Sequence, residues 1–249
     1  MEGANLSEAN LTGTNLGESY LMGAQLDRAQ LQGAQLSEAW GIAASLREAD
    51  LSDAKLHNLF FQAAVFDRAR LTNAKFDRLN QITPLLQRTS FVEANLEGAS
   101  FEGANLSAAN FENANLAGAK LSREPVKVNT GGFLSAVLVG SSTQTNQAFS
   151  TILIDANFSG ANLQNANLHY AQMENANFSN ANLSEANLNK SYLVNANLSN
   201  SNLQSSRMTY INLSNANLLG ANTSQVDFNQ SRLCGVTMPD GTVSQTGCE

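Results

Sequence analysis

The chain opens with four pentapeptides at residues 4–23, which read ANLSE, ANLTG, TNLGE and SYLMG. Leucine or phenylalanine recurs at nearly every fifth position from Leu6 to Leu121, and a second register runs from Phe158 to Met238. Of the 41 central positions in these blocks, 38 are Leu, Phe or Met. A period of five matches neither the 3.6 of a helix nor the 2 of a strand. Internal repetition on this scale predicts a solenoid.

Each pentapeptide pairs one large apolar residue with a small residue two positions earlier, which is alanine in 28 of the 41 cases. This pattern suits a chain that turns a corner once per repeat, with four corners closing a turn of about 20 residues whose coils stack roughly 4.8 Å apart. Charges at that interval support the stacking, because Glu8, Arg28 and Glu48 alternate in sign.

The A(N/D)LXX pattern resembles the pentapeptide-repeat family over residues 4–123 and 156–240. The resemblance implies an all-β fold, a right-handed quadrilateral β-helix. The number of repeats predicts a solenoid of about ten turns, interrupted by one long insertion.

The repeats define four segments. We predict a first repeat block at 1–123, an inserted loop or hairpin at 124–155, a second block at 156–240 and a C-terminal cap tail at 241–249. Loops longer than about 15 residues are usually functional or disordered. The insertion is therefore either a partner contact or a passive excursion, and Leu153 already fits the second register. Its apolar residues are candidate partner contacts: Phe133, Leu134, Val137 and Phe149.

A second candidate surface is aromatic. Outward positions 20 residues apart carry Tyr20, Trp40 and Phe60. Two breaks in the central pattern, Gly41 and Gln81, are expected one turn on either side of Phe61. Aromatic side chains are enriched in binding hot spots, so this irregular face is a candidate partner site that includes Gln81. The alternative is that Trp40 or Ile42 turns inward to fill the space that Gly41 leaves.

Both cysteines, Cys234 and Cys248, lie near the C-terminus. A disulfide between them would tie down the cap tail, whereas the alternative is two unrelated thiols. The first repeat begins at Ala4 with no capping segment before it, and solenoid ends are normally covered. We expect either that an upstream segment has been removed or that this edge meets another chain, as in a homodimer. A disulfide and a removed leader favour export, to the periplasm or the thylakoid lumen, over the cytoplasm.

The composition argues against several classes of function. The net charge is −7, and no basic patch is present that would indicate direct nucleic-acid binding. No apolar run reaches the length of a membrane span. The two histidines, His57 and His169, lie far apart, without a nucleophile motif, a metal-ligand spacing or a phosphate-binding loop. We therefore predict no enzyme activity, no metal and no cofactor.

The remaining prediction is a non-catalytic structural or protein-binding module with an unidentified protein partner. The family resemblance offers an alternative, since some members mimic duplex DNA and bind DNA gyrase. Ten turns stacked about 4.8 Å apart would form a rod about 50 Å long. A DNA duplex of about that length carries roughly 30 charges, whereas the net charge of this chain is −7. A passive structural or assembly subunit is the other alternative.

Overall fold

The computed structural model describes residues 1–80, 82–122 and 150–248. Within these ranges the backbone contains isolated β-bridges, separated by turns, in place of helices or extended strands. Most bridges are parallel and join residues 20 positions apart, as Asn5–Gln25 and Asn177–Asn197 do. The chain therefore winds as a parallel β-helix, with each coil hydrogen-bonded to the next.

Most pentapeptides turn a corner through a four-residue β-turn, and the third residue of that turn has a left-handed backbone conformation. In the first repeat the Ala9 N–H donates to the Leu6 carbonyl at 3.1 Å, and Glu8 has a φ of 63°. Left-handed backbone costs L-residues about 1–2 kcal/mol, and glycine and asparagine tolerate it best. These two residue types accordingly recur at the corner, for example at Gly13, Gly33, Asn175 and Asn195.

Replacing a corner alanine with glycine should stabilise the coil. Ala108 is exposed and has a φ of 56°. We expect Ala108→Gly to raise the free energy of unfolding by about 0.5–1 kcal/mol, because relief of the left-handed strain exceeds the entropy that glycine adds to the unfolded chain. Urea denaturation would measure the change. The matched control is Ala109→Gly at the neighbouring buried position, which should lower stability. Equal destabilisation by both variants would contradict the strain argument.

The core is a continuous column of inward-pointing residues. Every described central residue from Leu46 to Leu218 is fully buried, as are most of the alanines two positions earlier. Five phenylalanines stack on successive coils with ring centroids 4.8–5.1 Å apart and planes within 12° of parallel: Phe66, Phe91, Phe111, Phe158 and Phe178. This stack extends from the first repeat block into the second, so the two blocks share one core.

The 20-residue period is broken at two places. Phe60 bridges to Leu85, 25 positions away, so five extra residues form a bulge in the segment 77–84. Asn110 bridges to Asn157, 47 positions away, and 47 minus 20 leaves 27 extra residues. Residues 123–149, which lie outside the described ranges, also number 27. After each break the parallel bridges resume in phase.

The coil resumes earlier after the long insertion than the predicted segment bounds of 124–155. Ile152 bridges to Asn105, and Leu153 is fully buried. Thr151 is buried as well, and its Oγ1 donates to the Phe101 carbonyl at 3.1 Å and accepts from the Gly103 N–H at 3.2 Å. The Phe101 carbonyl also accepts from the Ala104 N–H, so the hydroxyl matters most for the Gly103 N–H, to which it gives a buried acceptor.

The C-terminal tail folds back over the last coil. Thr237 and Val243 form an antiparallel bridge, and the Leu233 N–H donates to the Thr246 carbonyl at 3.1 Å. Cys234 and Cys248 form a disulfide across this cap. The predicted disulfide is therefore confirmed, and the alternative of two unrelated thiols is wrong.

Loss of the disulfide should loosen the cap before it affects the rest of the rod. The two cysteines are 14 residues apart. A cross-link closing a loop of about that length adds about 3 kcal/mol to the free energy of unfolding. In a solenoid each repeat contacts only its neighbours, so we expect the loss to appear locally. In Cys248→Ser, amide exchange at Leu233 and Gly235 should accelerate by about a hundredfold, whereas exchange near Phe111 should not change. The wild type in reductant should behave like the variant, and unchanged exchange at Leu233 would contradict this role.

Candidate interaction surface

The irregular features of the described chain are concentrated along one edge of the coil. We call the bridge column that begins at Tyr20 the ladder column; it continues through Trp40, Phe60, Leu85, Asn105, Ile152 and Gln172. The connecting residues that precede each of its members form the ladder edge. The 77–84 bulge lies on this edge immediately before Leu85, and the long insertion lies on it immediately before Ile152. The bulge and the long insertion therefore lie on the same edge of the coil, although about 40 residues of sequence separate them.

The first three members of the column form an external aromatic stack, which we call the aromatic ladder. The Tyr20 and Trp40 ring centroids lie 6.4 Å apart, and those of Trp40 and Phe60 lie 4.4 Å apart with the planes at 18°. Tyr20 is 56% exposed and Trp40 is 40% exposed, whereas Phe60 is half-buried. The rings therefore form a stack that is partly exposed to solvent on the outside of the coil.

The ring of Phe61, one coil away, fills the core space beside Gly41 that a side chain would otherwise occupy. A Cβ atom on Gly41 would lie 2.3 Å from Cζ of Phe61 and 2.5 Å from Cε1 and Cε2. Trp40 and Ile42 both remain exposed. The alternative that one of them turns inward is therefore wrong, because the phenylalanine ring already fills the core at this level.

The core position one coil beyond Phe61 belongs to Leu86, five residues after Gln81. The Phe61 N–H donates to the Leu85 carbonyl at 2.9 Å, so Leu86 takes the core position above Phe61. Gln81 itself lies outside the described residues. The neighbouring Leu79 and Ile82 form an antiparallel bridge and are both exposed. The bulge is attached to the coil by the Leu79 N–H, which donates to Oδ1 of the buried Asn58 at 2.7 Å.

The insertion candidates belong to a segment outside the described ranges. These residues are Phe133, Leu134, Val137 and Phe149. The described residues on either side, Ser122 and Ser150, are buried against the coil. The chain therefore leaves and rejoins the coil at the ladder edge, on the same side as the bulge.

Farther along the ladder edge, Lys190 lies between two tyrosines. Its Nζ donates to the Tyr170 hydroxyl oxygen at 3.1 Å and lies 5.2 Å from the centroid of that ring and 6.0 Å from the centroid of Tyr210. The hydrogen bond to Tyr170 raises the pKa of Lys190, so the side chain stays cationic. A cation is thus accommodated between two tyrosine rings on this edge.

Charged ladders occupy other parts of the first block. Arg28 Nη2 lies 2.6 Å from Glu8 Oε1, and Arg70 Nη1 lies 3.8 Å from Asp50 Oδ2. Partial burial acts to raise the pKa of Asp50, but hydrogen bonds from Ser52 outweigh it and lower that pKa. Exposed pairs of this kind contribute little to stability, about 0.2–1 kcal/mol each.

A shallow hollow of about 190 Å³ lies among these charges, lined by Arg47, Glu48, Asp67, Arg68 and Val92. Its charged side chains pair with their neighbours: an Arg47 nitrogen lies 3.9 Å from Asp67, and an Arg68 nitrogen lies 2.8 Å from Glu93. The lining contains no nucleophile next to a base. The hollow is therefore a gap between ion pairs.

The two histidines offer no chemical site. Burial lowers the pKa of His57, against the opposing effect of Asp77, so the ring is neutral at pH 7. His169 stacks on Tyr170, with ring centroids 4.2 Å apart. The described part of the chain contains no group of three or more His, Cys, Asp or Glu residues that could hold a metal ion. Within it, no helix is long and apolar enough to span a membrane.

The sequence profile of pentapeptide repeats matches residues 4–39, 44–78, 86–123, 150–180, 181–218 and 211–245. The chain belongs to the pentapeptide-repeat family. Its fold is accordingly a right-handed β-helix, as the sequence predicts. The matched segments leave three internal gaps, 40–43, 79–85 and 124–149, of which the last two correspond closely to the bulge and the long insertion.

Solved structures of other pentapeptide-repeat proteins are similar to this chain. HetL from the cyanobacterium Nostoc sp. strain PCC 7120, which is involved in heterocyst differentiation regulation, is 28% identical with a TM-score of 0.55, covering 97% of this chain and 92% of HetL. Rfr23 from Cyanothece 51142 is 29% identical over 53% of this chain and 86% of Rfr23, with a TM-score of 0.31. A thylakoid-lumen protein from Arabidopsis thaliana is 26% identical over 51% of this chain and 71% of that protein, with a TM-score of 0.20. A comparison with curated protein sequences gave no significant match.

Proposed function

We propose that this protein is a non-catalytic binding module whose rigid β-helix presents one edge to a protein partner. The observation that carries the proposal is the alignment of the bulge, the long insertion and the aromatic ladder on that edge. Regular coils need no such feature, and stacked exposed aromatic rings are typical of binding hot spots. HetL, which is similar along most of its length, has a role in regulation, which agrees with a binding function.

The finer architecture is part of the same proposal. Four bridges per 20-residue period support a four-sided coil, and 41 repeats support about ten turns. We divide the rod into a first block at 1–123, the insertion, a second block to residue 240 and the disulfide-linked cap tail. The insertion residues Phe133, Leu134, Val137 and Phe149 are proposed partner contacts together with Tyr20, Trp40, Phe60 and Gln81.

We also propose that the protein acts without catalysis in an oxidising compartment outside the cytoplasm. A stable disulfide between Cys234 and Cys248 supports that location, because cytoplasmic thiols are normally kept reduced. A DNA-mimicking, gyrase-binding protein is the less favoured alternative, since a net charge of −7 is far below the roughly 30 charges of a duplex of this length. A passive structural role predicts that no face is special, whereas an assembly subunit that forms a homodimer through the N-terminal edge predicts a concentration-dependent dimer in sedimentation.

The experiment is affinity capture from a lysate of the source organism with the intact chain and two variants. In the first, a single glycine replaces residues 123–150, which joins Ser122 to Thr151 as one regular pentapeptide and restores the 20-residue period. In the second, Tyr20→Ala and Trp40→Ala remove the outer rings of the ladder. Leu219→Ala, at a leucine that is 49% exposed and lies away from the ladder edge, is the matched control. We expect a partner that the intact chain and the control retain and that both test variants lose. Identical partners for all four proteins would favour the passive structural role.

A further inference from the structure

The exposed apolar side chains of the described residues are unevenly distributed. Nine large hydrophobic residues of the described ranges are exposed. Two of them, Tyr20 and Trp40, belong to the aromatic ladder, and three more lie near it in the same coils: Ile42, Leu79 and Ile82. Isolated exposed apolar residues are normal, whereas a contiguous group marks an interaction site. The patch spans the first four coils and is centred on Trp40.

Two carboxylates border this patch on the ladder edge. Glu18 and Glu38 each lie two positions before a ladder ring, on left-handed corners with φ of 56° and 63°. Glu38 accepts a hydrogen bond from Asn58 at 3.4 Å. Neither glutamate forms an ion pair within the described ranges, in contrast to Glu8 and Glu93, which pair with arginines. The patch thus combines stacked rings with two carboxylates that form no ion pair within the described ranges.

We propose that the aromatic ladder binds an arginine-bearing, otherwise apolar segment of a partner protein. This inference rests on the proposed function and specifies the chemistry of its partner. An arginine side chain donates hydrogen bonds to carboxylates through its guanidinium group while its methylene groups pack on apolar surface. Glu38 and Glu18 offer the acceptors, and the exposed parts of Trp40 and Ile42 offer the apolar surface. The overall charge of −7 favours the approach of a basic segment.

The chain provides its own reporter for a test. Trp40 is the only tryptophan, so its fluorescence reports directly on the centre of the ladder. The probe is an acetylated nonapeptide of alternating arginine and leucine, and its counterpart carries uncharged citrulline in place of each arginine. We expect a saturable change in emission, with an apparent Kd about tenfold lower for the arginine peptide than for the citrulline peptide.

The carboxylates are tested with a matched control. The double variant Glu18→Gln/Glu38→Gln should raise the apparent Kd of the arginine peptide about tenfold. Glu185→Gln, on an exposed left-handed corner with φ of 60° elsewhere on the rod, should leave it unchanged. All three positions keep the geometry of the side chain, so circular dichroism should show equal folding.

Each other outcome overturns the inference. Equal binding of the citrulline peptide would mean that the ladder reads apolar shape alone, and absence of binding by both peptides would remove the arginine site. Self-association of the wild type that Trp40→Ala abolishes would identify a second copy of this chain as the occupant. The lysate experiment separates this failure from failure of the proposed function, since a partner that depends on Trp40 without binding through arginine retains the function and rejects the inferred chemistry.

Discussion

Phe111→Ala should lower the stability of the rod by about 3–5 kcal/mol, the usual cost of removing a fully buried phenylalanine. The Phe111 ring stacks on Phe91 at 4.9 Å and on Phe158 at 4.8 Å, with planes within 4° of parallel in both pairs. Phe158 lies beyond the long insertion in sequence, so this ring joins the cores of the two repeat blocks. The cavity would therefore open at the boundary between the two repeat blocks, where the long insertion already interrupts the regular coil.

Urea denaturation followed by circular dichroism is the measurement, and we expect two separated transitions in place of one. Solenoid stability is a sum over neighbouring coils, so a weak interface lets one block unfold before the other. Phe111→Leu is the matched control, because it keeps most of the volume and should cost less than about 1.5 kcal/mol. A single transition with an unchanged midpoint in the alanine variant would show that this stack does not couple the blocks.

Gly41→Leu should destabilise the protein by about 1–3 kcal/mol or more, although it restores the leucine that most other repeats carry. The added Cβ alone would approach Cζ of Phe61 to 2.3 Å. The φ of Gly41 is not in the left-handed region, so the backbone accepts a side chain and the cost comes from overpacking. Thermal unfolding would show the effect as a lower Tm.

A second substitution should rescue this variant. Phe61→Leu removes the end of the ring that occupies the space above Gly41, and alone it leaves a cavity there. In the double variant Gly41→Leu/Phe61→Leu each coil supplies its own leucine, so the two effects should be strongly non-additive. The double variant should be more stable than either single variant. Additive losses would mean that Gly41 is required for a reason other than the phenylalanine ring.

The coil itself follows from local pattern. Leucine every fifth residue and a small residue two positions earlier specify both inward positions, and the structure buries Leu46, Ala49 and Leu51 as that pattern predicts. The stacking of Tyr20, Trp40 and Phe60 follows equally, because a period of 20 aligns any residues spaced at that interval. The repeating sequence pattern predicts those contacts that recur in every coil, because each coil makes them with the same residue positions.

The bulge was missed because a five-residue excursion leaves the five-residue phase intact. Leucines on both sides remain in register, and only the partners across coils change. The charges carried the missing signal. A 20-residue spacing would place Arg68 beside Arg88, two like charges, whereas the observed 25-residue spacing places it 2.8 Å from Glu93. The filling of the Gly41 space by Phe61 was missed for a related reason, because it depends on contact between coils that one repeat does not encode.

The way in which both excursions rejoin the coil has a consequence for how this chain tolerates added length. Closing a loop becomes costlier only with the logarithm of its size, by about 0.6 kcal/mol for each doubling. Lengthening the excursion from 5 extra residues to 27 therefore costs roughly 1.5 kcal/mol. Where the longer excursion returns, the buried Thr151 hydroxyl donates to the Phe101 carbonyl of the preceding coil. One repeat after the shorter excursion returns at Leu85, the buried Thr89 hydroxyl donates in the same way to the Phe61 carbonyl. We therefore expect the ladder edge to tolerate inserted sequences, including whole small domains. The rod on either side of such an insertion should keep its register.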